Sequence, residues 1–164
     1  LHLIAARAYG AGPVIVVEPD PERRAVALGF GADLAVTPDD ALAAGMDLTK
    51  GEGFRAVSLA AGIAEAVPLA LGLARRLGSI NLFAGFPPGA AHTLDLNRLH
   101  YDEVRIFGTQ NAPFHLYAKA ATLIPRLPLL ARVVTNQYTI ANAAEAYTAR
   151  LGKSGLKSAI VLEP

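Results

Sequence analysis

The chain contains no cysteine and no tryptophan, and Met46 is its single methionine. Without cysteine there is neither a disulfide framework nor a thiolate metal site, and the absence fits a reducing compartment. Charge is sparse: 18% of residues are Asp, Glu, Lys or Arg, and the formal net charge is +1. No broad basic field is available to attract nucleic acid or an anionic membrane surface. No apolar run approaches the roughly 20 residues that a membrane-spanning helix requires. The opening LHLIAARAYGAG lacks the basic leader and long apolar segment of a secretory signal. It also lacks an initiator methionine, so the chain is expected to begin inside a longer protein or after processing. Aromatic residues are few (7%), yet about half of the 164 residues are apolar (52%). That is a globular composition at the length of one domain.

What is present is an alternation of helical and extended patterns. Leu1–Tyr9 is rich in Ala and Leu and is stopped by Gly10-Ala11-Gly12-Pro13, which predicts a helix. Val14–Val17 is an uninterrupted apolar run, the pattern of a strand covered on both faces. Pro21–Leu28 reads as a helix with proline in its first turn, and Asp33–Val36 as a second strand. Pro38-Asp39-Asp40 opens another helix, and Arg55–Ala60 is a third strand. The helical pattern of Ile63–Leu77 leads into a fourth strand, Ser79–Ala84, and the turn GFPPG. A polar helix within Leu94–Glu103 precedes a fifth strand, Val104–Phe107. His115–Leu127 is helical, Arg132–Thr139 extended, Ala141–Leu151 helical, and Lys157–Leu162 a last strand. Apolar strands alternating with helices predict an α/β fold with a parallel sheet covered on both faces.

One carboxylate stands out. The run VIVV ends on Glu18 in VIVVEPDPERR, and ligands of open parallel sheets sit beyond the carboxyl ends of the strands. An acid there can accept hydrogen bonds from both hydroxyls of an adenosine ribose and would repel a 2′-phosphate, which favours NAD over NADP. Arg23 could brace the ribose or stack on the adenine. A solvated glutamate beside an exposed helix face is an equally good reading of this stretch alone, and enzymes that use S-adenosylmethionine employ the same acidic device. A glycine-rich phosphate turn should lie roughly 20 residues before such an acid, which places it upstream of Leu1. Gly10-Ala11-Gly12 and Gly51-Glu52-Gly53 both precede strands, the wrong end for that role.

Five stretches together resemble the medium-chain dehydrogenase/reductase family. They are VIVVEPDPERRAVALGFGADLAV, GFRAVSLAAG, LGSINLFAG, LNRLHYDEVRIFGTQ and ANAAEAYTARLGKSGLKSAIVLEP. The branch they resemble is that of the zinc-dependent alcohol, sorbitol (L-iditol) and polyol dehydrogenases, in its C-terminal half. The resemblance implies a Rossmann-like, doubly wound parallel sheet over residues 1–109, lacking its first strand and glycine-rich turn. Residues 110–164 would return to the catalytic domain. It implies NAD as cofactor, a secondary alcohol or polyol as substrate, and a catalytic zinc in the parent protein whose ligands lie outside this chain. No catalytic or metal-binding residue is therefore assigned here. The chain alone is expected to be inactive, to bind NAD weakly, and to expose an unpaired sheet edge. A cytoplasmic homo-oligomer is the family-level expectation.

Carried onto this sequence, the resemblance places Glu18 and Arg23 at the adenosine ribose. Ala60, Ala61 and Gly62 fall on the turn after the third strand, near the cofactor. Phe83, Ala84 and Gly85 fall on the turn after the fourth strand, beside the nicotinamide amide, and Thr109 and Gln110 on the nicotinamide side after the fifth. Lys157 matches a basic position able to reach the pyrophosphate. Each of these could instead be a plain strand-end residue. Asn111 stands where some polyol-dehydrogenase relatives have arginine. His100 and Glu103, at i and i+3, have a spacing that could share a metal but read better as a surface helix. His2, His92 and His115 have no visible acid or base partner. A non-catalytic nucleotide-binding or assembly module with the same sheet, and a methyltransferase, are the competing readings.

Overall fold

Helices and strands alternate along the computed structural model, which describes residues 1–152 and 154–162. The order is α1 (His2–Ala8), β1 (Ile15–Val17), α2 (Pro21–Gly29), β2 (Leu34–Val36), α3 (Ala41–Leu48) and β3 (Phe54–Leu59). There follow α4 (Val67–Leu73), β4 (Ala74–Leu82), α5 (Leu96–Tyr101) and β5 (Arg105–Gly108). The C-terminal part adds α6 (Phe114–Leu123), β6 (Val134–Thr139), α7 (Ala143–Leu151) and β7 (Lys157–Val161). All strand pairs among the described residues are parallel, in ladders β1–β2, β3–β4–β5 and β6–β7. The α/β class and the parallel pairing expected from the sequence are observed. None of the described helices is long and apolar enough to cross a membrane.

Local chemistry explains the element starts. The Asp20 carboxylate accepts from the backbone N–H groups of Glu22 (2.8 Å) and Arg23 (3.2 Å), and Pro21 fills the first helical position of α2. These amides have no partner inside the helix, so an aspartate there stabilises the first turn. Asp95 caps α5 in the same way, through Asn97 and Arg98.

One expectation needs correction. The helical pattern Ile63–Leu77 ends as α-helix at Leu73, after a short 3₁₀ turn at Ala64–Ala66, and Ala74 is already strand. Tertiary hydrogen bonds outweigh the helical propensity of the ARRL stretch. Ala74 pairs with Phe54 of β3, its carbonyl accepts from Arg98 Nη2 (2.8 Å), and Leu77 N–H donates to the Asp102 carbonyl (2.8 Å). Helix α6 is likewise shorter than His115–Leu127, because Pro125 and Pro128 shift the chain into 3₁₀ turns.

Two apolar clusters hold the sheet. Ile80, wholly buried on β4, packs with Ala70, Leu71, Ala74 and Val104. Ala41, Phe54 and Leu73 form the second cluster, against which Ile15, Val17 and Val36 of the β1–β2 ladder also pack. Both ladders therefore cover one core. Yet β1 bonds only to β2 and β3 only to β4 among the described residues, so each keeps one backbone edge open.

A polar clamp positions β1. Arg7 of α1 donates from Nε to the Gly31 carbonyl (2.8 Å), from Nη1 to the Ala11 carbonyl (2.9 Å) and from Nη2 to Asp33 Oδ2 (2.5 Å). The same carboxylate oxygen accepts from Val14 N–H (2.6 Å). These bonds, that of Val14 first and those of Arg7 next, hold the Asp33 carboxyl below its ordinary value. Since the native value is depressed, the stabilisation is complete above the ordinary value of 3.8 and is lost as pH falls through the lower native one. Asp33→Ala is expected to lower the melting temperature at neutral pH and to flatten the acid limb of the stability profile. Identical acid limbs for the two proteins would contradict the clamp.

Candidate functional site

Parallel register aligns the strand ends. Leu59 pairs with Leu82, and Leu82 with Gly108, so β3, β4 and β5 finish side by side. Beyond that line Phe83 and Ala84 N–H donate to the Leu59 carbonyl (3.1 and 3.2 Å), and Thr109 N–H to the Leu82 carbonyl (3.3 Å). Three turns thus leave the sheet at one level, on the rim where ligands of such sheets bind.

A cavity of about 620 Å³ opens between two of them, lined by Phe83, Ala84, Gly85, Thr109, Gln110 and Asn111, among others. All five residues expected at the nicotinamide side meet here. The volume falls within the roughly 300–1,000 Å³ of small-molecule sites. Thr109 Oγ1 donates to Asn81 Oδ1 (3.1 Å), which ties the rim of β5 to β4. The start of α1 approaches the same rim: the His2 ring meets Phe83 edge-on, with centroids 4.3 Å apart. Burial lowers the His2 pKa from 6.5, favouring the neutral ring.

The turn after β3 carries Ala60, Ala61 and Gly62. Ala60 and Ala61 are exposed and do not line the cavity. Gly62 lies against the turn after β4, and a Cβ built on it would overlap the Gly85 carbonyl oxygen. Only glycine allows the two backbones to meet so closely.

Glu18 continues the β1–β2 ladder by one rung, its N–H donating to the Val36 carbonyl (2.9 Å). Its carboxylate Oε1 accepts from Asp20 N–H (3.1 Å), which leaves the second oxygen without a recorded partner among the described residues. It lines neither cavity. The arginine that braces this loop is Arg24, through Nη1 to the Glu18 (2.8 Å) and Pro19 (2.7 Å) carbonyls. In the sequence Arg24 reads as part of an exposed helix face, because a helix-face arginine carries no signal that it folds back on the loop before its helix.

Arg23 and Lys157 come together in a second cavity of about 220 Å³, with Arg150, Ser154, Gly155 and Ser158. Arg150 was not singled out in the sequence.

No group of three or more His, Cys, Asp or Glu residues that could hold a metal occurs among the described residues. His100 and Glu103 form no such group. These side chains do not fit a zinc centre.

A family model described as zinc-binding dehydrogenase matches residues 1–125. The L-threonine 3-dehydrogenase of Pyrococcus horikoshii is 36% identical over 101 residues, which is 60% of this chain and 28% of that protein. An alcohol dehydrogenase structure from Thermotoga maritima superposes with a TM-score of 0.90 at 24% identity, over 98% of this chain and 46% of its own. A zinc-binding dehydrogenase structure from Sinorhizobium meliloti, bound to NADP, gives 0.85 at 23% identity over 97% of this chain and 48% of its own. The chain thus spans less than half the length of these proteins. The solved structures share its fold.

Gly62→Ala is expected to push the turns after β3 and β4 apart. A crystal structure of the variant should show displaced Gly62 and Gly85 backbones, and its melting temperature should fall. An unmoved turn at unchanged stability would contradict the close approach.

Proposed function

Because the chain belongs to the zinc-binding dehydrogenase family, we propose that it is the dinucleotide-binding portion of an NAD-dependent, zinc-requiring alcohol or polyol dehydrogenase. The carrying observation is the shared rim. The ends of β3, β4 and β5 stand level, and five expected residues line one cavity there. Glu18 follows the end of β1, and Arg23 and Lys157 line a second cavity.

The residues fit a dinucleotide in three places. Glu18 keeps a carboxylate oxygen with which to accept from ribose hydroxyls. At the Gly62–Gly85 contact two backbones meet with no side chain between them, which suits the close approach of a flat ring. Phe83, Ala84, Thr109 and Gln110 offer backbone and side-chain partners for an amide. When bound, the nicotinamide supplies hydride acceptance from a carbinol carbon. The chain's own share is positioning: its turns fix the ring against the sheet and shield one face from water. Zinc and the groups that move the substrate proton belong, in this proposal, to the rest of the protein, and an oligomer is part of the same reading.

In the intact protein, Glu18→Ala is expected to weaken NAD binding by roughly 1–3 kcal/mol, the scale for losing hydrogen bonds to a charged partner. Calorimetric titration measures it, and unchanged affinity would overturn the ribose assignment. The intact protein should also oxidise secondary alcohols or polyols with NAD. Turnover that survives exhaustive zinc removal would remove zinc from the proposal.

A further inference from the structure

We propose that Arg24 is a positioning residue for Glu18. It holds the backbone before α2 so that the free carboxylate oxygen meets the paired hydroxyls of a ribose, and it thereby helps set a preference for NAD over NADP. The inference deepens the function proposed above and rests on it.

The stretch Glu18-Pro19-Asp20-Pro21 has only two backbone donors, because proline carries no N–H. Both are used: Glu18 N–H donates to the Val36 carbonyl (2.9 Å) and Asp20 N–H to Glu18 Oε1 (3.1 Å). The carbonyls of the loop therefore need donors from outside it. Arg24 supplies them. Its Nη1 donates to the Glu18 (2.8 Å) and Pro19 (2.7 Å) carbonyls, and its own N–H closes the first turn of α2 on the Asp20 carbonyl (3.0 Å). One half-buried residue thus grips three successive carbonyls, those of residues 18, 19 and 20.

What the guanidinium avoids matters as much. The ion pairs among the described residues are Arg7–Asp33, Arg76–Glu103 and Arg98–Asp102, and Arg24 joins no carboxylate in that set. A fork laid on the Glu18 carboxylate would occupy both of its oxygens and leave none for a sugar. Arg24 instead takes the main-chain carbonyl of Glu18, while Asp20 N–H fixes Oε1, so the second oxygen is held ready to accept. A group set in place before the ligand arrives loses less freedom on binding. The neighbouring Arg23 lines the smaller cavity, so two adjacent arginines have separate tasks. A ribose that carries a 2′-phosphate meets the fixed carboxylate as a like charge. Loosening the loop therefore costs NAD its hydrogen bonds and costs NADP nothing.

Calorimetric titration of the intact protein with NAD and with NADP tests this. Arg24→Gln is expected to weaken NAD about tenfold, the scale of one charge-assisted hydrogen bond, and to leave NADP unchanged. Arg24→Lys should recover part of the loss, since an ammonium on a flexible stem can reach the same carbonyls with less direction. In a Glu18→Ala background Arg24→Gln should cost NAD nothing further, because Arg24 acts through that carboxylate. Parallel losses for both nucleotides with a lowered melting temperature mark a purely structural brace and overturn the proposal. Should Arg24→Gln fail to fold, Arg24→Lys carries the same comparison. If Glu18→Ala weakens NAD while Arg24→Gln leaves the ratio of the two affinities unchanged, the positioning is wrong and the dinucleotide reading stands. If neither nucleotide binds the intact protein, the dinucleotide reading falls and the positioning with it.

Discussion

Leu59, Leu82 and Gly108 stand abreast on three parallel strands, and the larger cavity depends on that register. Parallel pairing sends every carboxyl end to the same edge, so turns far apart in sequence leave the sheet together. A slip of one residue would exchange the faces of Ile80 and its neighbours. Ile80 is fully buried, so the core that stabilises β4 also fixes where Phe83 and Thr109 emerge. Stability and site geometry here are one constraint.

The two cavities differ in electrostatic character. The larger cavity is lined by small, aromatic and neutral polar residues, and the smaller one by three cations. Glu18 sits apart from both, on a loop that Arg24 and Asp20 hold by backbone contacts. A flat, weakly charged group and an anionic group would find different partners in the two cavities.

Much of this was legible in the residues. Uninterrupted β-branched runs gave away parallel strands, and Pro21 after an aspartate marked the start of α2. The small residues after β3 and β4 pointed to turns that approach something closely. The end of α4 was not legible, because the ARRL stretch favours a helix locally and becomes strand only through pairing with Phe54 and the bond from Arg98. Arg150 was hidden for a related reason. Nothing within α7 distinguishes an arginine in solvent from one that lines a cavity with Arg23, more than a hundred residues away in the chain. Local pattern reports periodicity and capping, whereas convergence of distant charges is written only in the tertiary fold.

The open edges of β1 and β3 have a consequence for how the molecule breathes. The two ladders share the cluster around Phe54 through side-chain packing, with no backbone bond between β1 and β3 among the described residues. Side-chain packing alone transmits cooperativity less rigidly than a continuous ladder does. Amide protons of β4, bonded on both sides, should therefore exchange with solvent slowest, and those of the three-residue β1–β2 pair much sooner. The half of the rim that carries Glu18 would then loosen as its own unit, while the floor beneath Phe83 and Thr109 stays closed.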